Sequence, residues 1–260
     1  MKQHALPSEP VKLKFIRDLP LFSIEKPYSI VRTMELPDEE STNIEYDDHD
    51  VSKMLRDARG CEKQFSLEKD SFCWVNYPSK INITTEQEMM VPYAKEVNNL
   101  LRKIFDTGHV ICYDLRWRRN TTFTDEEAFS NSRSVPSPPV KTVHVGLSSV
   151  WRPLFRPIEE NPIAFCNPST VQKEDLMEVD RVTPISLIEI FHVKYNPTQE
   201  WFWLSNQHPD EVTVFIQYDS HPPDGRINAV PHTTFDDPRA KPGARPRESV
   251  ETRSIVFTKF

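Results

Sequence analysis

Two histidines and an arginine–serine pair raise the first chemical question. His144 lies in the run KTVHVGL and His232 in AVPHTTF, 88 residues later, and Arg247-Glu248-Ser249 begins 15 residues after that. Imidazole binds first-row metal ions, and a planar guanidinium beside a hydroxyl matches the two oxygens of a carboxylate. A histidine at a strand end, a distant second one, then Arg-x-Ser on a following strand is the order of a non-heme iron centre with a 2-oxoacid co-substrate. There two imidazoles and one carboxylate occupy one face of Fe(II) and leave positions for the 2-oxoacid and O₂. Two hydrogen-bonded histidines without a metal fit the same spacing, and the residues alone leave both readings open.

Other chemistries are excluded by residue type. The chain has 5 glycines, no two closer than 18 residues. Dinucleotide and P-loop phosphate sites need clustered glycines, so neither exists here. Asp219-Ser220-His221 has the residue types of a nucleophilic triad, but chain neighbours cannot face one another as a triad must. There is no GxSxG elbow. Trp151, Trp201 and Trp203 read as core or as walls of an apolar pocket. Arg116, Arg118 and Arg119 read as a solvent-facing edge after a strand, or as a holder of an acidic substrate group.

The elements that must position these residues are mostly strands. HVICYDLRW, KTVHVGL, LIEIFHVKYN, EWFWLSN, EVTVFIQYD and ETRSIVFTKF are strand-like runs divided by Pro, Asn and Asp turns. Such spacing indicates a sandwich or barrel. FSLEKDSFCWVNYPSK alternates across a turn like a hairpin. One helix is expected, with Tyr93, Ala94, Val97, Leu100, Leu101 and Ile104 on a single face. Thr85 and Glu88 would form its capping box, Pro92 would occupy its first turn and Gly108 would stop it. One helix followed by many strands gives the expected fold: mainly β, a jelly roll or double-stranded β-helix (cupin-like), with an N-terminal extended and helical buttress. Residues 1–64 read as an extended arm with one helical turn at Met54–Ala58 and an acidic surface run, Glu35–Asp50. Residues 65–260 read as the jelly-roll domain, with 120–141 a polar, Pro-rich mobile loop.

Longer words in the chain carry a family resemblance. VWRPLFRPIEENPIAFCNPSTV, EWFWLSNQHPDEVTVFIQYDS and PHTTFDDPRAKPGARPRESVETRSIVF resemble the fungal AsaB-type hydroxylase/desaturase family. That family includes the gibberellin desaturase and is similar to bacterial cephalosporin methoxylation proteins of CmcJ type. The match runs from about Phe65 to Phe260 and is most specific at Trp151–Pro153, Asp210–Val212, Tyr218–Ser220, PHTTFDDP and PRESVETR. The resemblance implies an iron-dependent oxygenase of secondary metabolism acting on a small molecule. It implies Fe(II) at His144 and His232, and 2-oxoglutarate at Arg247 and Ser249.

Two departures bear on that expectation. The family's first motif is His-x-Asp, whereas this chain reads His144-Val145-Gly146. Only Val145 to Val150 separate the motif from Trp151-Arg152-Pro153, a shorter segment than the family's. Three explanations follow. One is a two-histidine iron site with an open position, similar to the His-x-Gly site of iron/2-oxoglutarate halogenases. A second is a carboxylate supplied from elsewhere, with Asp219, Asp236 and Asp237 nearest to the motifs. The third is a barrel without redox chemistry, a metal-free cyclase or isomerase, or a non-catalytic binding protein.

Charge and composition narrow the partners. The net charge of −7 does not attract phosphate backbones, so nucleic acid is not an expected partner. No run approaches the roughly 18 apolar residues of a membrane span, and the first residues lack a signal-peptide core. Cys61, Cys73, Cys112 and Cys166 form no CxxC pair, which suits a reducing, cytoplasmic setting with buried free thiols.

Overall fold

The computed structural model describes residues 6–30, 41–47, 52–81, 86–120, 138–146, 149–183, 186–223 and 226–258. In chain order the elements are β1 (Ser8–Lys12), β2 (Phe15–Ile16), β3 (Tyr28–Ile30), β4 (Tyr46–Asp47), β5 (Ser52–Asp57), α1 (Leu67–Asp70), β6 (Phe72–Asn76), α2 (Glu86–Phe105) and β7 (Val110–Arg119). There follow β8 (His144–Val145), β9 (Val150–Pro153), β10 (Ile163–Cys166), β11 (Leu176–Thr183), β12 (Ser186–Val193), β13 (Trp201–Trp203), β14 (Glu211–Phe215), β15 (His232–Thr234) and β16 (Glu248–Val256).

The strands form a nine-stranded sheet, β1-β5-β13-β10-β15-β8-β12-β11-β3, and a five-stranded sheet, β6-β14-β9-β16-β7. Their inner faces meet as a jelly roll. Successive side chains of a strand point to opposite faces, so each strand serves two cores. Helix α2 turns Tyr93, Val97, Leu100 and Leu101 onto the outer face of the smaller sheet, against Leu115, Trp117, Val214 and Val250. Val11, Leu13 and Phe15 cover the outer face of the larger sheet, over Leu55, Trp201 and Trp203. The space between the sheets holds Phe72, Trp74, Trp151, Phe165, Phe202 and Phe215. The expected arm thus supplies β1 and β5, paired with each other and, through β5, with β13.

Several local expectations are corrected. Met54–Ala58 contributes to strand β5 rather than a helical turn, because its alternation buries Leu55 against Trp201. The expected hairpin at Phe65 is one helical turn, α1, followed by a strand. Ser66 Oγ accepts from the Lys69 N–H and Asp70 accepts from the Ser66 N–H, a reciprocal cap that outweighs the alternation. Helix α2 begins at Glu86, so Pro92 lies inside it rather than in its first turn. It ends on Asp106, whose φ of +47° takes the left-handed conformation while the Thr107 N–H bonds back to the Arg102 carbonyl. Gly108 therefore follows the stop instead of making it. Thr85, residues 121–137 of the expected loop and most of the acidic run lie outside the described residues.

Candidate metal and anion site

Strand pairing brings the two histidines together. His232 on β15 is the direct cross-strand partner of His144 on β8, and direct partners in an antiparallel pair share a face. Their ring centroids lie 4.4 Å apart. Each Nδ1 meets a backbone carbonyl, Thr142 O at 2.8 Å for His144 and Val230 O at 3.1 Å for His232. A neutral imidazole that donates from Nδ1 keeps a lone pair on Nε2, the arrangement of a metal-binding histidine. Burial favours this neutral form: it lowers the pKa of His144, and burial together with His144 pushes His232 down to about 3. Phe215 and Phe165 flank the His232 ring at 5.1 and 6.3 Å.

Gly146 sits where the rings converge. A β-carbon there would stand 3.2 Å from His144 Nε2 and 3.4 Å from His232 Cε1. The Gly146 N–H donates to Gln217 Oε1 at 2.9 Å, and Gln217 Nε2 donates to the Val230 carbonyl at 3.3 Å. One amide side chain thereby ties the first histidine's strand to the carbonyl that orients the second. Among the described residues, no three His, Cys, Asp or Glu are arranged to hold a metal ion. The candidate replacement carboxylates are engaged elsewhere. Asp219 accepts from the His221 N–H, Asp236 bonds Lys141 and Asn161, and Asp237 bonds Arg239.

Arg247, the residue before β16, and Ser249 on it turn to the inner side of the smaller sheet. Arg247 is 3% exposed and lies 5.5 Å from the Trp151 ring, with one Nη bonded to the Asn161 carbonyl at 2.7 Å. Its Nε and the fully buried Ser249 Oγ have no hydrogen-bond partner. Burial pulls the guanidinium pKa down to about 9, which leaves it cationic at neutral pH. A buried cation with idle donors is costly unless an anion completes it. These orphaned donors fit a carboxylate, and the paired Nε2 lone pairs fit a metal ion with two protein ligands and open positions.

Three features went unread in the sequence. His192 on β12 is the other cross-strand partner of His144, so three histidines share one face of adjacent strands. Its Nδ1 lies 3.5 Å from the Tyr46 hydroxyl, and burial with His144 and Arg181 nearby pushes its pKa to about 3. Glu251 on the inner face of β16 binds Arg118 at 2.6 Å, and Gln217 is the clamp described above. Spacing along the chain gives no sign of any of these.

The tryptophans divide. Trp151 belongs to the inner core. Trp201 and Trp203 do not: they pack on the outer face with Phe15 and Leu55. Phe202 lies between them and opposite Phe165, on the face of His232, so strand alternation excludes its neighbours from that face. The arginine run is also corrected. Arg118 and Arg116 turn inward opposite Ser249 and Glu251, while Arg119 binds Glu248 outside at 3.2 Å.

Comparison with known proteins agrees with this architecture. The chain is similar to hydroxylase/desaturase efuI of Hormonema carpetanum, 25% identical over 264 residues that cover 84% of this chain and 86% of the relative. It is 33% identical over 122 residues to hydroxylase/desaturase asaB of Aspergillus flavus, covering 42% of this chain and 53% of that one. The solved iron and alpha-ketoglutarate-dependent endoperoxidase NvfI superposes with a TM-score of 0.77 at 22% identity, over 99% of this chain and 100% of that chain. Residues 13–149 and 147–257 match the family model described as oxidoreductase/YMDC permease-like domain, and the chain belongs to that family.

Proposed function

We propose that this chain oxidises a small organic molecule in fungal secondary metabolism, using Fe(II) and 2-oxoglutarate. The observation that carries the reading is the pair of neutral imidazoles, His144 and His232, in the same barrel as the buried, incompletely bonded Arg247 and Ser249. The relatives named for hydroxylation, desaturation and 2-oxoglutarate-dependent dioxygenation support it.

His144 and His232 would hold the iron through Nε2. With 2-oxoglutarate and O₂, Fe(II) supplies the oxidising power to remove hydrogen from carbon. The Thr142 and Val230 carbonyls keep each Nδ1 protonated, so both rings stay neutral and correctly turned. Arg247 would hold the far carboxylate of 2-oxoglutarate, with Ser249 as a second donor. Trp151 covers the guanidinium and excludes water from that pair. Phe165, Phe202 and Phe215 offer an apolar wall to the substrate. Among the described residues no helix is long and apolar enough to cross a membrane. The free cysteines support a cytoplasmic setting. Residues 65–260 would carry the oxygenase-like chemistry, with β1, β3 and β5 extending its larger sheet at both edges.

Gly146 favours a second reading. Without a carboxylate at that position, a metal-free cyclase or isomerase would use the histidines only to shape the pocket. A halogenase would instead place chloride there. Anaerobic calorimetric titration separates the metal-bound and metal-free readings. Fe(II) should bind the natural chain once and His232→Ala not at all, and 2-oxoglutarate binding should be lost in Arg247→Ala. Substrate turnover that is unchanged by chelator and consumes no 2-oxoglutarate would establish the metal-free reading.

A further inference from the structure

The inner face of β16 carries more cationic groups than the co-substrate needs. Arg247, Ser249, Glu251 and Arg253 alternate onto it, with Arg118, Arg116 and Asp114 opposite the last three on β7. Arg118 is satisfied by Glu251 at 2.6 Å and the Pro138 carbonyl at 3.3 Å. Arg116 and Arg253 share one carboxylate, Asp114, each at 3.2 Å. The buried Nε of Arg253 has no hydrogen-bond partner.

Arg181 faces this group from β11 in the other sheet. Solvent reaches its side chain, and among the described residues no hydrogen bond or ion pair holds it. Burial among protein atoms, then the like charges of Arg118, Arg253 and Arg116, lower its pKa. Four guanidiniums therefore stand against two carboxylates, Asp114 and Glu251. A surplus of this kind where solvent still reaches the barrel raises the local positive potential and favours an anion.

That anion is separate from the co-substrate. Six residues of strand separate Arg247 from Arg253, about 20 Å at 3.3 Å per residue, and a five-carbon 2-oxoacid on Arg247 cannot reach so far. Across the larger sheet, β13, β10, β15, β8, β12 and β11 are successive neighbours. Phe202 and Phe165 thus lie on one side of the imidazoles and Arg181 on the other, two strands across and four residues along from His144, roughly 16 Å away.

We propose that Arg181, with Arg116 and Arg253, binds an oxyanionic group of the substrate, a carboxylate or phosphate ester, while its apolar body lies over Phe165 and Phe202 beside His144 and His232. This inference rests on the proposed function, since it assigns the substrate class of the same barrel.

Thermal unfolding with defined probes tests it. The anions are 4-phenylbutanoate and phenyl phosphate, the neutral control is 4-phenylbutanamide, and 2-oxoglutarate is the co-substrate probe. Without ligand, Arg181→Gln should raise Tm by about 2 °C, because a repelled cation is removed. At least one anion, and not the amide, should raise Tm in the natural chain, in Arg181→Lys and in Arg247→Ala. The rise should vanish in Arg181→Gln, and the more effective anion identifies the group. An anion response that survives in Arg181→Gln, or a natural chain that neither anion stabilises, overturns the proposal. The 2-oxoglutarate response should persist in Arg181→Gln and disappear in Arg247→Ala. If it persists in Arg247→Ala, the proposed function fails instead, and the Arg181 arm is read independently.

Discussion

A β-carbon on Gly146 would come within 3.2 Å of His144 Nε2, the atom a metal would occupy next. The backbone at Gly146 accepts a side chain, but the rings must yield by a few tenths of an ångström. Gly146→Asp should therefore raise Fe(II) affinity by about tenfold or more, the scale on which site groups tune a metal. Stability should fall by about 1 kcal/mol from crowding. Gly146→Ala brings the crowding without the carboxylate, so its affinity should not rise. Equal affinities for the two variants in calorimetric titration would reject a ligand role for residue 146.

Gln217 links Gly146 to the Val230 carbonyl, which also receives His232 Nδ1. Gln217→Leu keeps the size and removes both bonds. It should weaken Fe(II) binding about tenfold and cost about 1–3 kcal/mol for the groups left unmatched. Gln217→Glu keeps the acceptor for Gly146 and should recover part of the affinity. If Tm falls while affinity stays unchanged, the residue has a purely structural role.

Opposite faces of β13 separate stability from substrate handling. Trp203→Phe acts on the outer core and should lower Tm while leaving kcat and KM near those of the natural chain. Phe202→Leu acts on the inner wall and should raise substrate KM more than it lowers Tm. A KM change confined to the Trp203 variant would reverse this assignment.

His192 makes acid stability measurable. In the folded chain its pKa is near 3, against about 6.5 for an unfolded histidine. Above about pH 6.5 the ring is neutral in both states and adds no pH dependence. Between about pH 6.5 and 3 only the unfolded chain takes up the proton, so stability drops by about 1.4 kcal/mol per pH unit for this one ring. Below pH 3 that slope ends. His192→Gln should flatten the decline by about this amount in urea unfolding of chelator-treated protein. An unchanged slope would mean that the ring is already protonated in the folded chain.

Residue order, alternation and the family resemblance together nominated His144 with His232, Arg247 with Ser249, and a mainly β jelly roll. These features are local: a motif, a strand period of two, an amphipathic helix face. The run Trp201-Phe202-Trp203 shows where such reading stops. All three side chains are buried, because cores lie on both sides of the sheet. Alternation says which residues share a face, but hydrophobicity cannot then say which face holds the site. The same holds for His192 and Arg181, 48 and 37 residues after His144. His192 enters the site because β12 pairs with β8 in one register, and Arg181 because β11 follows β12 in the sheet and faces β7 across the barrel. A one-residue slip of β12 on β8 would turn His192 outward and Arg181 with it, a slip of β11 on β12 would turn Arg181 alone, and only the closed barrel sets these registers.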